Sequence, residues 1–305
     1  MKAGLGIAMA AAGFAAALVA SAAAQRGLAS WREGELEAED PAYNADVPPE
    51  TRFTVAALGG LRGVVSEFIR LHASNLQREG NYTELAQLSA WLTQLDPHAA
   101  DSWTMAAWNL SYNISSSTDV KEDKWRWVLA GMKMLRDDAL RANPRDPSIH
   151  YELMWLFLNK INGTLDDVGR YYNESWRDTV RQAAGDWASL KMEPALMRKI
   201  DAAYGPLDWS DPLSSAVYWG EHGLAAAPAR VCARLRLGLA FCMFAKVRAD
   251  AAYAPRALER IRALSAAGPD ATLDEMAAAL EEFIKGGGAA APQGGQGAQA
   301  EAGGS

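Results

Sequence analysis

"EGNYTELAQLSAWLTQLDPHAADSW" runs from Glu79 to Trp103, and the spacing of its Gly, Tyr, Pro and Trp decides the fold. Gly80 stands where one helix must turn back on itself, because a residue without a Cβ enters the left-handed region at no steric cost. Tyr82 opens the next helical pattern and Pro97 stops it, since proline lacks the N–H a continuing helix needs. Trp103 is placed to plug the gap between successive helix pairs. Working outward, helices are expected near 58–78, 82–95 and 100–113. Ala73 and Ala107 fall where paired helices approach most closely. An insertion at 114–119 precedes a helix near 120–142, in which Ala139 sits five residues before Pro144. Further helices are expected near 148–161 and 165–190, with Asp146-Pro147 and Asp211-Pro212 marking helix starts. Asp119 with Glu122 resembles a capping box before the 120–142 helix, and Asp166-Asp167 is placed as first-turn charge. No stretch alternates β-branched residues as a strand would, so the fold class is all-α.

The intervals from Gly80 to Tyr82, Pro97 and Trp103 are those of a helix-turn-helix repeat of about 34 residues. On these residues the chain resembles the tetratricopeptide-repeat (TPR) superfamily over about 55–190, with Leu85 and Met132 where Ala is usual. A narrower resemblance lies in "LGGLRG" (58–63), "AWNLSYNIS" (107–115), "WRWVLAGMKMLRDDALRANP" (125–144) and "YGPLDWSDPLSSAVYW" (204–219). These blocks look like an uncharacterised family of exported or membrane-anchored bacterial helical-repeat proteins. That family usually carries Arg where this chain has Ser210. The resemblance implies a TPR-like α-solenoid of stacked hairpins in the cell envelope and brings no known activity.

The ends of the chain read differently. Lys2 precedes an uncharged, Ala-rich run at 3–24 that closes on Ala22-Ala23-Ala24, the pattern of a signal peptide with a cleavage site after Ala24. Its length also suits an uncleaved membrane anchor. Either way the remainder is expected on the periplasmic side. The organisation is therefore leader or anchor at 1–25, acidic linker at 26–51, TPR-like repeats at 52–192, carboxy-terminal helices at 193–285 and a Gly/Ala-rich tail, expected to be disordered, at 286–305.

A net charge of −7 argues against a nucleic-acid binder, which needs a basic surface to neutralise phosphates. Eleven Trp in a chain that is half hydrophobic point to a packed core, and Trp91, Trp103 and Trp127 are expected inside it. Cys232 and Cys242 lie ten residues apart on one expected helix, too far to bond, and read as small buried residues. The segment 230–248 is apolar round most of its girth and fits a buried helix. "LGGLRG" lacks the Lys-Ser/Thr of a phosphate loop and reads as close backbone packing. His72 is expected in the core, and none of the four His has metal-ligand spacing. No metal, cofactor or catalytic motif is implied.

The TPR register places Arg70, Ser74, Gln77, Trp108, Tyr112, Tyr151, Trp155 and Asn159 on the inner wall of the first helices of each pair. Such a mixture of aromatic and polar groups suits an extended peptide, whose backbone the polar groups bind and whose side chains the aromatics cover. The competing occupant of that wall is the chain's own carboxy-terminal helices. Pro206 and Pro212 bracket Asp208 and Trp209, which form either the rim of a site or a hinge to the last helices. The expected function is a non-enzymatic scaffold binding a protein or peptide. The alternatives are an envelope enzyme or enzyme subunit with a polar site near Asp208, and a self-associating assembly factor.

Overall fold

The computed structural model describes residues 62–95, 97–163 and 167–286. The leader, the linker, Asp166, most of "LGGLRG" and all of the tail but Gly286 lie outside the described residues. Among the described residues no strand occurs, and the protein is all-α. Nor is any described helix long and apolar enough to cross a membrane.

In chain order the helices are α1 (Arg62–Glu79), α2 (Tyr82–Leu95), α3 (Ala100–Trp108), α4 (Lys121–Lys133), α5 (Pro147–Trp155) and α6 (Gly169–Ala183). Then follow α7 (Pro194–Tyr204), α8 (Pro212–Ala226), α9 (Ala233–Ala249), α10 (Ala254–Ala267) and α11 (Ala271–Lys285). Three of them continue through a π-helical turn: α3 over Asn109–Ile114, α4 over Met134–Ala139 and α5 over Leu156–Ile161.

The punctuation read from the sequence acts as expected. Gly80 turns the chain at φ +73°. The carbonyl of Pro97 accepts from the indole of Trp103 and from the Asn143 amide, both at 2.7 Å, so one turn ties two junctions together. Asp146 and Asp211 cap α5 and α8 by accepting the N–H of Ser148 at 2.8 Å and of Leu213 at 3.0 Å, and a Pro follows each in the first turn. Ala73, Ala107 and Ala139 are buried at the close approaches.

Several expectations are corrected. The helix expected to 190 ends at Ala183, because Ala184 and Gly185 both take positive φ and Pro194 opens a new helix. Val120, not Asp119, precedes α4, and no side chain caps it. Trp91 is 61% exposed and Trp127 is 37% exposed. The buried stripe of α2 runs through Leu85, Ser89 and Thr93, which turns Trp91 to the opposite face. In α4 the stripe is Val128, Met132 and Leu135, one position round from Trp127. His72 is exposed beside the buried line of Ile69, Ala73 and Leu76. Asp167 sits ahead of α6 rather than in its first turn.

Each helix up to α4 packs on its neighbour in sequence, and α3 also packs on α5. The continuation α5–α8 is among the most extensive contacts, and α8–α9, α9–α10 and α10–α11 extend it. Cys232 and Cys242 are free and buried, and α9 is buried around most of its circumference. A Cβ at Gly238 would fall 1.9 Å from Met154 Cε and 3.4 Å from the ring of Tyr151. The missing Cβ here leaves room for the Met154 side chain of α5 against α9.

Candidate functional site

The residues that carry the most unusual chemistry collect where α3, α5 and the start of α9 meet. Trp108 and Tyr112 lie on consecutive turns and their rings stack at 4.0 Å and 20°. The π-turn between them adds a residue to the hydrogen-bonded loop and so changes which side chains share a face. Tyr151 and Trp155, one α-turn apart on α5, stack at 5.9 Å. The Arg234 guanidinium stands over the Tyr151 ring, with Cζ 4.3 Å from the centroid.

Polar groups in this region are kept from water. The Tyr112 hydroxyl, the Asn109 amide nitrogen and the Ser111 hydroxyl are buried and have no hydrogen-bond partner among the described residues. Such atoms are uncommon in folded proteins. Burial raises the Tyr112 pKa, and Glu152 and Tyr151 add to the rise. The Glu152 carboxyl is pushed up to about 7 by burial, against the pull of Arg234. Lys160 is buried with its ammonium 5.3 Å from the Tyr112 ring and 5.6 Å from the Tyr172 ring.

Glu152 therefore stabilises the fold as the neutral acid. That contribution is full below the unfolded carboxyl pKa and is lost as pH rises through about 7. Glu152→Gln is expected to raise stability at pH 8 by on the order of 2 kcal/mol and to leave it nearly unchanged at pH 4.5. Urea midpoints at the two pH values check this. A variant less stable at pH 8 would mean that the ionised carboxylate is held by Arg234.

Of the expected inner-wall residues, Trp108 and Tyr112 are half-buried. The expectation that Tyr151, Trp155 and Asn159 line an open wall is corrected: they are 5%, 7% and 5% exposed. Met154, between the two aromatics, meets α9 at Gly238, and α8 packs along the same helix. At this level the chain's own helices occupy the wall. The positions of Arg70, Ser74 and Gln77 fall on α1, and their side chains lie outside the described residues. The sequence does not single out Glu152, and it marks Arg234 only as one of the basic residues between 230 and 262. An acid beside Tyr151 in an otherwise apolar helix was the available signal.

Asp208 and Trp209 belong to a separate, strapped segment. Arg177 of α6 reaches Asp208 at 2.8 Å and Ser210 at 3.0 Å, and lies 3.5 Å from Asp211. Ser210 donates to Asp208 through its hydroxyl at 2.6 Å and its amide at 3.0 Å. Burial would raise the Asp208 pKa, but the Ser210 and Arg177 hydrogen bonds outweigh it and hold the carboxyl below its usual value. Asp201 accepts from the Trp209 indole at 3.2 Å and from the Leu207 amide at 3.0 Å. These bonds describe a fastened bend between α7 and α8.

Two open hollows lie away from the aromatic cluster. One of about 490 Å³ is lined by Asn162, Arg170, Asn173, Glu174 and Arg177. The other, about 300 Å³, is lined by Glu193, Leu196, Lys199 and His222. Among the described residues no group of three or more His, Cys, Asp or Glu is placed to hold a metal ion. No protein-family model, curated protein or solved structure matches this chain.

Proposed function

We propose that this protein is a TPR-like α-solenoid scaffold of the cell envelope, without catalytic activity, that binds a protein or peptide partner. The solenoid reading is supported by the order of contacts, in which α3 meets α5 and α5 meets α8 across the intervening helices. The partner's contact surface is the part of the inner wall left half-open, at Trp108, Tyr112 and Glu152, with exposed Arg234 at its margin. The observation that carries the reading is the stacked Trp108–Tyr112 pair next to polar groups already stripped of water. A preformed aromatic surface loses little conformational freedom on binding, and its large rings supply apolar contact area.

An enzymatic site at Asp208 has less support. A general acid or base at neutral pH needs a carboxyl pKa shifted upward, whereas that of Asp208 is shifted downward and its oxygens are taken by Arg177 and Ser210.

Pairing Trp108→Ala with Arg234→Glu tests the scaffold reading, because both side chains reach the surface and neither is a main element of the core. Partners that co-purify with the wild type from membrane and envelope fractions are expected to fall at least roughly tenfold, the effect of losing one anchor worth about 1.4 kcal/mol. Helical circular dichroism is expected to stay unchanged. Full recovery of the same partners by the variant would remove this surface from consideration.

A further inference from the structure

His150 of α5 and His222 of α8 meet across the joint between those two helices. Their Nδ1 atoms are 3.5 Å apart and their ring centroids 5.0 Å apart. His150 Nε2 lies 3.1 Å from the Pro144 carbonyl, which can only accept, so Nε2 carries hydrogen and Nδ1 presents a lone pair. His222 Nδ1–H is then the donor between the rings. This arrangement needs the His150 Nδ1 lone pair and is lost when both rings are protonated. His150 is completely buried, and a Cβ at Gly223 of α8 would fall 2.6 Å from its own Cβ. His222 is half-buried, stacks 5.9 Å from Tyr218 and borders the hollow lined by Glu193 and Lys199.

We propose that the His150–His222 pair is an acid-sensitive latch joining α8, and with it α9, to α5, so that protonation loosens this layer and uncovers the aromatic wall of Tyr151 and Trp155. The first proton goes to His222, which has the hollow and the Glu193 carboxylate beside it to receive a cation. A protonated His222 still donates to a neutral His150, and the match is lost once His150 also takes a proton, since two imidazolium rings then face each other at the same joint. The groups facing the pair are Asp146 at the start of α5, Glu193 ahead of α7, Lys199 of α7, Tyr218 and Trp219 of α8, and the apolar Leu235 of α9. Asp146 and Glu193 favour the charged forms, and burial opposes them.

The direction of the effect follows from the shifts. Burial lowers the pKa of both residues, that of His150 to about 4. The folded state therefore binds fewer protons than the unfolded one, and the latch is fully effective above the unfolded value of about 6.5 and lost as pH falls towards 4. For His150 alone the equilibrium is expected to move on the order of a hundredfold over that interval. Glu152 on the same helix titrates in part of this window with the opposite sign, so wild type is compared with variants that retain it.

The test is hydrogen exchange of the full chain at pH 7.5, 6 and 4.5, corrected for the intrinsic pH dependence of exchange. Wild type is expected to lose at least tenfold protection in residues 147–161 and 212–249 on acidification, with 100–142 changing less. His150→Gln combined with His222→Gln is expected to remove most of that pH dependence. Equal loss in the double variant, or unchanged wild-type protection at pH 4.5, would overturn the latch. If the double variant does not fold, the wild-type imidazoles are titrated by NMR. Two rings that stay neutral well below pH 6.5, and take up protons together with the loss of protection, support the proposal. Ordinary titration of both with no change in protection refutes it.

Discussion

Trp176→Ala is expected to destabilise the protein by about 3–5 kcal/mol, the range for truncating a buried large aromatic. Trp176 of α6 is 1% exposed, meets Phe157 edge to face at 4.7 Å, and donates its indole N–H to Ser215 of α8 at 3.2 Å. It thus joins α6 to α8 through both packing and a hydrogen bond. Removing the ring opens a cavity that the surrounding helices close only in part, and it strips the Ser215 hydroxyl of its donor. Trp176→Phe separates the two contributions: most of the ring is kept and the loss should shrink to about 1–2 kcal/mol. Equilibrium urea unfolding measures both. An Ala variant within about 1 kcal/mol of wild type would mean that α6 and α8 do not pack through this residue.

The second large effect concerns charge. Arg260 of α10 pairs with Glu221 of α8, and its Nε donates to the Tyr204 hydroxyl at 2.9 Å. Tyr204 in turn donates to Glu221. Arg260 and Glu221 have side chains only 22% and 16% exposed, so neither charge is well solvated when left alone. Arg260→Met is expected to cost about 3 kcal/mol, mostly because Glu221 keeps a charge without a cation. Adding Glu221→Leu to that variant should restore most of the loss, because an apolar pair of similar volume has no desolvation to offset. A double variant that is as unstable as Arg260→Met would show that the hydrogen bonds to Tyr204, rather than the stranded carboxylate, set the cost.

These two contacts also explain the fixed relation of α8 to its neighbours. Glu221 and His222 are consecutive, yet one faces α10 and the other α5. A single turn of α8 is therefore held on one side by an ion pair and on the other by two neutral imidazoles.

Local chemistry determined much of this protein from the sequence. Gly80, Pro97, Asp146-Pro147 and Asp211-Pro212 act through their own backbone preferences and nearest neighbours, so helix ends at those points could be read without any fold. The helical class followed from periodicity for the same reason, and so did the burial of Ala73, Ala107 and Ala139 once the pairing was assumed. Only the tertiary structure decided what the residues expected on an inner wall touch. Covering Tyr151 and Trp155 depends on α9 crossing α5 at Gly238, a contact between residues more than eighty positions apart that no local pattern encodes. The π-turns at Asn109, Met134 and Leu156 shift side chains round the helix axis, so a register counted in α-turns loses its face beyond them. The neutral state of Glu152 and the meeting of His150 with His222 likewise come from burial by distant helices, which changes the cost of a charge without changing the residue that bears it.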